Sequence, residues 1–199
     1  RMKRHREQIS QIMQDTMQDM QPREDADRDH AYPADFKTSL HTSLKAIKEQ
    51  IQGKDISLKI DLPRHLIPID MPQDVLNDIL IILMANAAHE TPDHGHVVLK
   101  LRVYKEESEQ SFAHIQIADE GEGYMKSELP YVIEHRAKDG EMFETGEEAI
   151  RLDLASVRDM VEDHDGRIWV DSKPRRGTII SILLPFIPQR RLNPSSPPT

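Results

Sequence analysis

Cysteine is absent from this 199-residue chain, which excludes a disulfide framework and a thiolate metal site. Long apolar runs are missing as well. The longest, residues 79–84, is far shorter than the about 20 residues that a membrane-spanning helix needs. Hydrophobic residues make up 37% of the chain and charged residues 31%, which is ordinary for a soluble domain. These features predict a cytoplasmic location and no membrane contact within this sequence.

An excess of positive charge is also lacking, since 26 Lys and Arg residues face 35 Asp and Glu residues and the net charge is −9. Duplex nucleic acid is bound largely through its neutralised phosphates, so nucleic acid is not an expected partner. Basic clusters occur only near the two ends, at residues 1–6 and at Arg190 and Arg191. Because the chain begins with Arg1 inside a helix-like pattern, we expect it to be part of a longer protein.

Changes in composition predict the domain boundaries. Residues 1–21 carry a seven-residue repeat that is typical of a helix packed on a partner helix in a coiled coil, and a frayed amphipathic helix is the alternative. The repeat comprises Met2, Ile9, Thr16, Arg6, Met13 and Met20. Residues 22–33 are polar and acidic and predict a linker, residues 34–187 form the domain, and the Pro- and Ser-rich residues 188–199 predict a disordered tail.

The domain alternates helical and strand patterns, with Asp35 as the expected cap of its first helix. Periodicity predicts the following elements: a helix at 35–53, a strand at 56–62, a long and mostly buried helix at 70–91, a hairpin of strands 97–104 and 112–118, a short helix at 129–135, a helix at 146–163, and strands at 167–170 and 178–184. This mixture predicts an α/β (α+β) fold, a two-layer sandwich in which helices cover a mixed, largely antiparallel sheet.

Three ordered motifs stand out within residues 35–186. The long helix ends in LIILMANAAHETP, which contains Asn86, and the second hairpin strand leads into IQIADEGEGY, a D-x-G-x-G pattern at Asp119, Gly121 and Gly123. The closing stretch has the strand GRIWV and the pair Gly177-Thr178 before the last strand. With these motifs the chain resembles the histidine kinase-like ATPase superfamily, and its closing stretch is most similar to sensor histidine kinases.

The resemblance implies a Bergerat-type ATP-binding fold and assigns roles to particular residues. Asn86 corresponds to the asparagine that holds Mg²⁺ against the triphosphate, and Asp119 to the aspartate that accepts a hydrogen bond from the adenine amino group. Gly121, Gly123 and Thr178 complete the implied ATP-binding set, with the glycines allowing the backbone to approach the nucleotide closely. The helix at 1–21 then corresponds to the end of a dimerisation helix, which implies a homodimer and a response regulator or other signalling protein as partner.

The sequence departs from the family pattern at the phosphate-binding end. The family's second glycine motif, G-x-G-L-G-L, aligns with residues 149–154, where Ala149, Arg151 and Asp153 replace all three glycines. Side chains at these positions hinder close approach of the backbone to phosphates, and the Asp153 carboxylate repels them. The aromatic-rich part of the lid is not recognisable, and His5 lacks the sequence context of a phosphoacceptor histidine.

Two functional hypotheses follow. The first is a degenerate pseudokinase module of a two-component sensor kinase, with weak or absent ATP binding, that acts through dimerisation and docking. The second is an active domain that binds ATP with Mg²⁺ and phosphorylates a histidine on the dimerisation hairpin.

Three further features have competing interpretations. The residues His89, Glu90, His94 and His96 have the residue types of a zinc site, but their spacing is typical of polar loop histidines. Arg175 and Arg176 fit either an anion site or an ordinary exposed turn, and Trp169 is expected to be a packing residue on its strand.

Overall fold

The computed structural model describes residues 33–50, 54–66, 68–105, 111–134 and 154–186. These residues fall within the unit Tyr32–Thr199. The predicted coiled-coil helix at 1–21, the predicted tail at 188–199 and all but the last residue of the predicted linker at 22–33 lie outside the described residues. Within the described ranges, no helix is both long and apolar enough to cross a membrane.

The described elements follow the order expected from periodicity, with one small sheet added. They are β1 (Ala34–Asp35), α1 (Phe36–Gln50), β2 (Ser57–Asp61), β3 (Pro68–Ile69), α2 (Gln73–Glu90), β4 (His96–Lys105), β5 (Ser111–Ala118), α3 (Leu129–Glu134), α4 (Leu154–Glu162), β6 (Arg167–Ser172) and β7 (Thr178–Pro185).

The main sheet has five strands in the order β2-β4-β5-β7-β6. β2 runs parallel to β4, and the other neighbouring pairs are antiparallel. The sheet is therefore mixed and largely antiparallel, and the predicted two-layer α/β class is confirmed. The predicted hairpin is the β4–β5 pair, with Leu101 opposite Ile115.

The hydrophobic core lies between the helices and one face of this sheet. Alternate strand residues such as Leu99, Ile115 and Ile182 point into it and are fully buried. The helix α2 is buried along most of its surface, at Leu76, Ile79, Leu80, Ile82, Leu83, Met84, Ala85, Ala87 and Ala88. Since each buried Leu or Ile contributes about 1.5–3 kcal/mol relative to an exposed one, α2 is the main hydrophobic anchor of the domain.

Local hydrogen bonds fix where the two long helices begin and end. The predicted cap Asp35 accepts hydrogen bonds from Lys37 N at 3.1 Å and from the Thr38 hydroxyl at 2.7 Å, and so satisfies free groups at the start of α1. At the end of α2, the buried Thr91 hydroxyl donates to Ala87 O at 2.7 Å and Pro92 follows. Proline cannot continue the helical hydrogen bonds, so the chain turns here towards β4.

The small antiparallel pair β1–β3 is absent from the expectations above. Ala34 lies opposite Ile69, and Ala34 N donates to Met71 O at 3.0 Å. Asp70 N also donates to Pro185 O at 3.1 Å, which ties this pair to the end of β7. Two-residue strands have no detectable alternation, and these partners meet only when α1, α2 and β7 pack together.

Candidate functional site

Asp119 lies at the centre of a hydrogen-bonded unit at the end of β5. Its backbone N donates to Thr178 O at 2.9 Å. Its carboxylate oxygen Oδ1 accepts from Gly121 N at 2.8 Å and from Thr178 N at 2.9 Å. Within the described ranges the other oxygen, Oδ2, has no hydrogen-bond partner. One oxygen therefore fixes the side chain, and the other is available to a donor from outside.

The environment of Asp119 perturbs its charge. Burial raises the pKa of this carboxyl, the hydrogen bonds from the Gly121 and Thr178 amides lower it, and repulsion by Glu90 raises it again, with a net upward shift. Glu90 lies at the end of α2 and touches the Asp119 loop, because a Cβ added to Gly121 would lie 3.0 Å from both Glu90 Cβ and Glu90 O. The site therefore holds two acidic side chains near each other.

The D-x-G-x-G loop is interlocked with the turn at residues 173–177. Gly177 N donates to Gly121 O at 3.0 Å, and Arg175 N donates to Glu122 O at 2.6 Å. Gly123 and Gly177 have φ of +66° and +74°, and a Cβ on Gly177 would overlap Asp119 O. Only glycine combines positive φ with such close backbone contact, so these two positions let the loop and the turn approach each other.

Ser172 joins the loop and the turn through its hydroxyl group. Tyr124 N donates to Ser172 Oγ at 2.8 Å, and Ser172 Oγ donates to Gly177 O at 2.9 Å. The hydroxyl also lies 3.0 Å from Thr178 Oγ1, whose side chain is buried. Ser172 and Gly177 were absent from the predicted site residues. A serine at the end of a strand has many ordinary explanations, so only the tertiary contacts identify it.

Asn86 lies on α2, four residues before Glu90. Residues four apart share a helix face, so Asn86 is one turn back from the point where α2 meets Gly121. The structure thus joins Asp119, Gly121 and Thr178 by hydrogen bonds, and Gly123 packs against the 173–177 turn beside them. It places Asn86 on the helix that abuts this unit.

The histidines and the tryptophan singled out in the sequence have partners of their own, outside the hydrogen bonds of Asp119. His94 Nδ1 lies 3.0 Å from Asp55 Oδ2, and His96 Nδ1 lies 3.2 Å from Glu120 Oε2. Among the described residues, no group of three or more His, Cys, Asp or Glu side chains is arranged to hold a metal ion. Trp169 stacks on His114, with ring centroids 5.3 Å apart.

The predicted defect at residues 149–153 lies outside the described residues, as do most of the lid residues. Leu154, the last residue of that motif, is the first residue of α4. The described geometry therefore covers the Asp119 end of the site.

Comparison with known proteins gives a consistent family pattern. Residues 71–188 match the family model described as histidine kinase-, DNA gyrase B-, and HSP90-like ATPase. The chain is 30% identical over 143 residues to the sensor histidine kinase WalK of Bacillus subtilis, covering 69% of this chain and 22% of that protein. It is 33% identical over 150 residues to the circadian input-output histidine kinase CikA of Synechocystis, covering 75% of this chain and 19% of that protein.

Solved structures show the same fold. The mycobacterial sensor histidine kinase MprB superimposes with a TM-score of 0.63 and 25% identity, over 80% of this chain and 99% of that one. Full-length ShkA in complex with AMPPNP superimposes with a TM-score of 0.60 and 21% identity, over 78% of this chain and 31% of that one. By comparison, the matched part of this chain corresponds to only about a fifth of the length of the two histidine kinases WalK and CikA.

Proposed function

Since the chain belongs to the histidine kinase-, DNA gyrase B- and HSP90-like ATPase family, as the ATPase-type domain of a sensor histidine kinase, we propose that it is a degenerate signalling module. In this proposal its ATP binding is weak or lost, and it acts through dimerisation and docking. The proposal rests on a difference between the two ends of the nucleotide site, since the adenine end keeps the family's residues and the phosphate end does not. One end is built around Asp119, and the other lacks the family's phosphate-binding glycines.

The Asp119 end suits an adenine ring. Its free oxygen Oδ2 can accept a hydrogen bond from an exocyclic amino group, while the Gly121 and Thr178 amides hold the carboxylate in place. The glycines at 121 and 123 keep side chains away from this surface. Asn86, one turn from Glu90, would supply its amide oxygen to Mg²⁺, an ion that prefers oxygen ligands and would neutralise triphosphate charge.

The phosphate end opposes tight binding. Arg151 and Asp153 stand where the family has glycines, so backbone amides there cannot approach phosphate oxygens as closely. Asp153 also adds a negative charge, which Arg151 offsets only in part. A nucleotide held mainly by its base loses most of the charge-assisted hydrogen bonds that make triphosphate sites tight.

An active kinase is the second candidate, and the intact Asp119 unit favours it. In that case the domain holds ATP with Mg²⁺ near a histidine on the dimerisation hairpin, and catalysis consists of positioning and charge neutralisation. Both candidates share a cytoplasmic homodimer formed through residues 1–21, with a response regulator or another signalling protein as partner.

Titration with a fluorescent ATP analogue and Mg²⁺ distinguishes the two candidates. We expect a Kd of about 1 mM or weaker, with the remaining affinity reduced at least tenfold by Asp119→Ala. Glu122→Ala is the matched control, because this exposed residue lies in the same loop. Tenfold corresponds to about 1.4 kcal/mol, within the range for a lost hydrogen bond to a charged group.

Binding at low micromolar concentration, with phosphate transfer to a histidine on a longer version of the chain, would refute the pseudokinase proposal. If neither Asp119→Ala nor Asn86→Ala changed the Kd of the ATP analogue, the nucleotide would not bind in this site.

A further inference from the structure

The strand β2 forms one edge of the main sheet. Its neighbour on one side is β4, and among the described elements only β4 contacts it extensively. All five residues of β2 are exposed. A strand at the edge of a sheet presents a row of backbone N–H and C=O groups that can pair with another strand. The side of β2 that faces away from β4, which we call the free edge, is therefore a candidate interaction surface.

One hydrogen bond fixes which residues of β2 present their backbone groups at the free edge. Ser57 N donates to Gly95 O at 2.9 Å, so the N–H of Ser57 points towards β4. Along a strand, the backbone groups of successive residues point to alternate sides. The odd-numbered residues of β2 therefore direct their backbone groups to β4, and Leu58 and Ile60 direct theirs to the free edge. A strand that joins here must bond to Leu58 and Ile60.

One face of the free edge is apolar. Leu58 is 38% exposed and Ile60 is 41% exposed, which makes them two of the four large hydrophobic side chains that are exposed in the described part of the chain. Their register partners on β4, Val97 and Leu99, are buried in the core. Leu58 and Ile60 therefore extend the core-facing apolar surface to the edge of the sheet. Burial of these side chains by an apolar partner would be favourable.

The other face of β2 carries a cation and an anion, because Lys59 and Asp61 alternate with the apolar residues. Arg102 on β4 pairs with the Asp61 carboxylate, and its Nη1 also donates to Asp61 O at 3.3 Å. The hydrogen bond from Arg102 lowers the pKa of Asp61, so this carboxylate is ionised at neutral pH. A matching strand must therefore present an anion opposite Lys59 and a cation opposite Asp61.

A second copy of β2 in antiparallel orientation meets these requirements. When two copies pair with Ile60 on the two-fold axis, Lys59 of each copy lies opposite Asp61 of the other, and Leu58 lies opposite Leu62. Leu62 packs against the core and so continues the apolar face. The apolar residues then occupy three hydrogen-bonded pairs with about six N–H···O bonds, and the charges occupy non-hydrogen-bonded pairs, in which side chains are closer.

The neighbouring registers are unfavourable. An antiparallel pair centred on Lys59 places two lysines opposite each other, and one centred on Asp61 places two aspartates opposite each other. Like charges in directly opposite positions destabilise a strand pair, whereas opposite charges stabilise it. The charge pattern of β2 therefore selects the register centred on Ile60.

We propose that the free edge of β2 binds a second copy of this chain, strand against strand in the register centred on Ile60, so that the two five-stranded sheets become continuous. This surface is separate from the Asp119 unit and from the dimerisation helix expected at residues 1–21. One strand pair buries much less than the about 1,600 Å² of a standard interface, so the association is weak and reversible.

Disulfide capture tests the register, because the chain has no cysteine of its own. In the proposed pair the two copies of residue 60 have Cα atoms about 5.5 Å apart, which a disulfide can span. The two copies of residue 59 are diagonal neighbours at about 7–8 Å, at or beyond the limit for a disulfide.

Under mild oxidation of the full chain we expect Ile60→Cys to form linked dimers about tenfold faster than the matched control Lys59→Cys. Each rate is divided by the rate at which the same thiol reacts with a small disulfide reagent, which corrects for differences in thiol reactivity. A dimer held by residues 1–21 alone brings both positions together without this preference, so the ratio reports on β2.

Charge reversal gives a second test in the Ile60→Cys background. Lys59→Glu alone, or Asp61→Lys alone, places like charges opposite each other and should slow linkage about tenfold. In a mixture of these two variants, each substituted residue faces an opposite charge. Linkage between one chain of each kind should therefore return to within about twofold of the rate for Ile60→Cys alone. Circular dichroism verifies the fold of each variant, and mixing cannot repair a folding defect.

Faster linkage at position 60 together with recovery in the mixture supports the proposal. Equal corrected rates for Ile60→Cys and Lys59→Cys, or faster linkage at position 59, overturns the register. Failure of the mixture to recover overturns the charge pairing and with it the proposal. In that case Lys59 and Asp61 protect the edge strand from association, as charged residues do on many exposed edges.

Discussion

At the scale of single residues, Asp119 combines a structural and a binding role in its two carboxylate oxygens. Oδ1 joins β5 to β7 by accepting from Gly121 N and Thr178 N, and Oδ2 takes no part in these bonds. The same burial that makes the hydrogen bonds strong also penalises the charge, and Glu90 adds repulsion. The site therefore keeps a partly buried carboxylate at a cost in stability, which is typical of functional positions.

The substitution Asp119→Asn tests whether the buried charge of Asp119 destabilises the fold while its hydrogen bonds stabilise it. An amide oxygen still accepts from the two backbone N–H groups, but the buried charge is gone. Because the folded-state pKa of Asp119 is raised, its ionised form destabilises the fold above that pKa, and the penalty disappears as pH falls towards the unfolded-state value. We expect the variant to be at least as stable as the original chain at pH 7 and its advantage to shrink at pH 4.

Urea unfolding at the two pH values measures this difference, with Asp163→Asn, an exposed carboxyl, as the control. If Asp119→Asn instead lost the same amount of stability at both pH values, the buried charge of Asp119 would not be a source of instability. In the nucleotide titration the same substitution should weaken adenine binding, since an amide presents a donor as readily as an acceptor at the Oδ2 position.

At the scale of elements, α1 is held at its start by side chains and along its length by packing against α2. Asp35 caps its first turn, and Asp35 N in turn donates to Gln73 Oε1 at 2.8 Å, the first residue of α2. Gln73 Nε2 also donates to the buried Ser39 hydroxyl at 2.6 Å. The starts of the two helices are therefore linked, and this link lies at the opposite end of α2 from Glu90 and the Asp119 loop.

Asp35→Ala should remove the cap of α1 and lower the free energy of unfolding by about 1 kcal/mol. The backbone bond from residue 35 to Gln73 remains, so the loss reports on the side-chain cap alone. Lys37→Ala is the control in the same turn, and it should change stability by less than about 0.5 kcal/mol. Equal effects of the two substitutions in chemical denaturation would argue against the cap.

At the scale of the whole molecule, nucleotide binding and folding are linked by mass action. A ligand that binds only the folded chain stabilises it by an amount set by the ratio of its concentration to Kd, about 2.7 kcal/mol at a hundredfold excess. For the proposed weak site, 1 mM ATP with Mg²⁺ lies near or below Kd. The gain is then at most about 0.4 kcal/mol, and Tm rises by about 1 °C.

The double substitution Arg151→Gly and Asp153→Gly should increase the stabilisation of the folded chain by ATP. A tenfold tighter Kd raises stabilisation by 1 mM ATP to about 1.4 kcal/mol and the Tm shift to about 3–6 °C. Glu162→Gly with Asp163→Gly places two glycines at exposed positions at the end of α4 and serves as the control. Thermal scans with and without nucleotide measure each shift. No increase in the glycine-restored variant, despite an unchanged fold, would locate the defect elsewhere.

Sequence by itself determined most of the elements of the domain. The hydrophobic periods of 3.6 and 2 residues predicted the long helices and all five strands of the main sheet, and the Asp35 cap follows from residues two and three positions away. These features depend on interactions between near neighbours, which the order of residues specifies directly.

Tertiary structure alone decided which distant residues meet. The Asp119–Thr178 contact joins residues 59 apart, the β1–β3 pair joins Ala34 to Ile69, and Ser172 acquires its partners only when β6 and β7 pair beside the Gly121 loop. The ring contacts of His114 with Tyr104 and Trp169 arise in the same way, because these residues come from three strands whose register places them side by side. No local pattern encodes such contacts, since each depends on the relative position of two elements that the packed core sets.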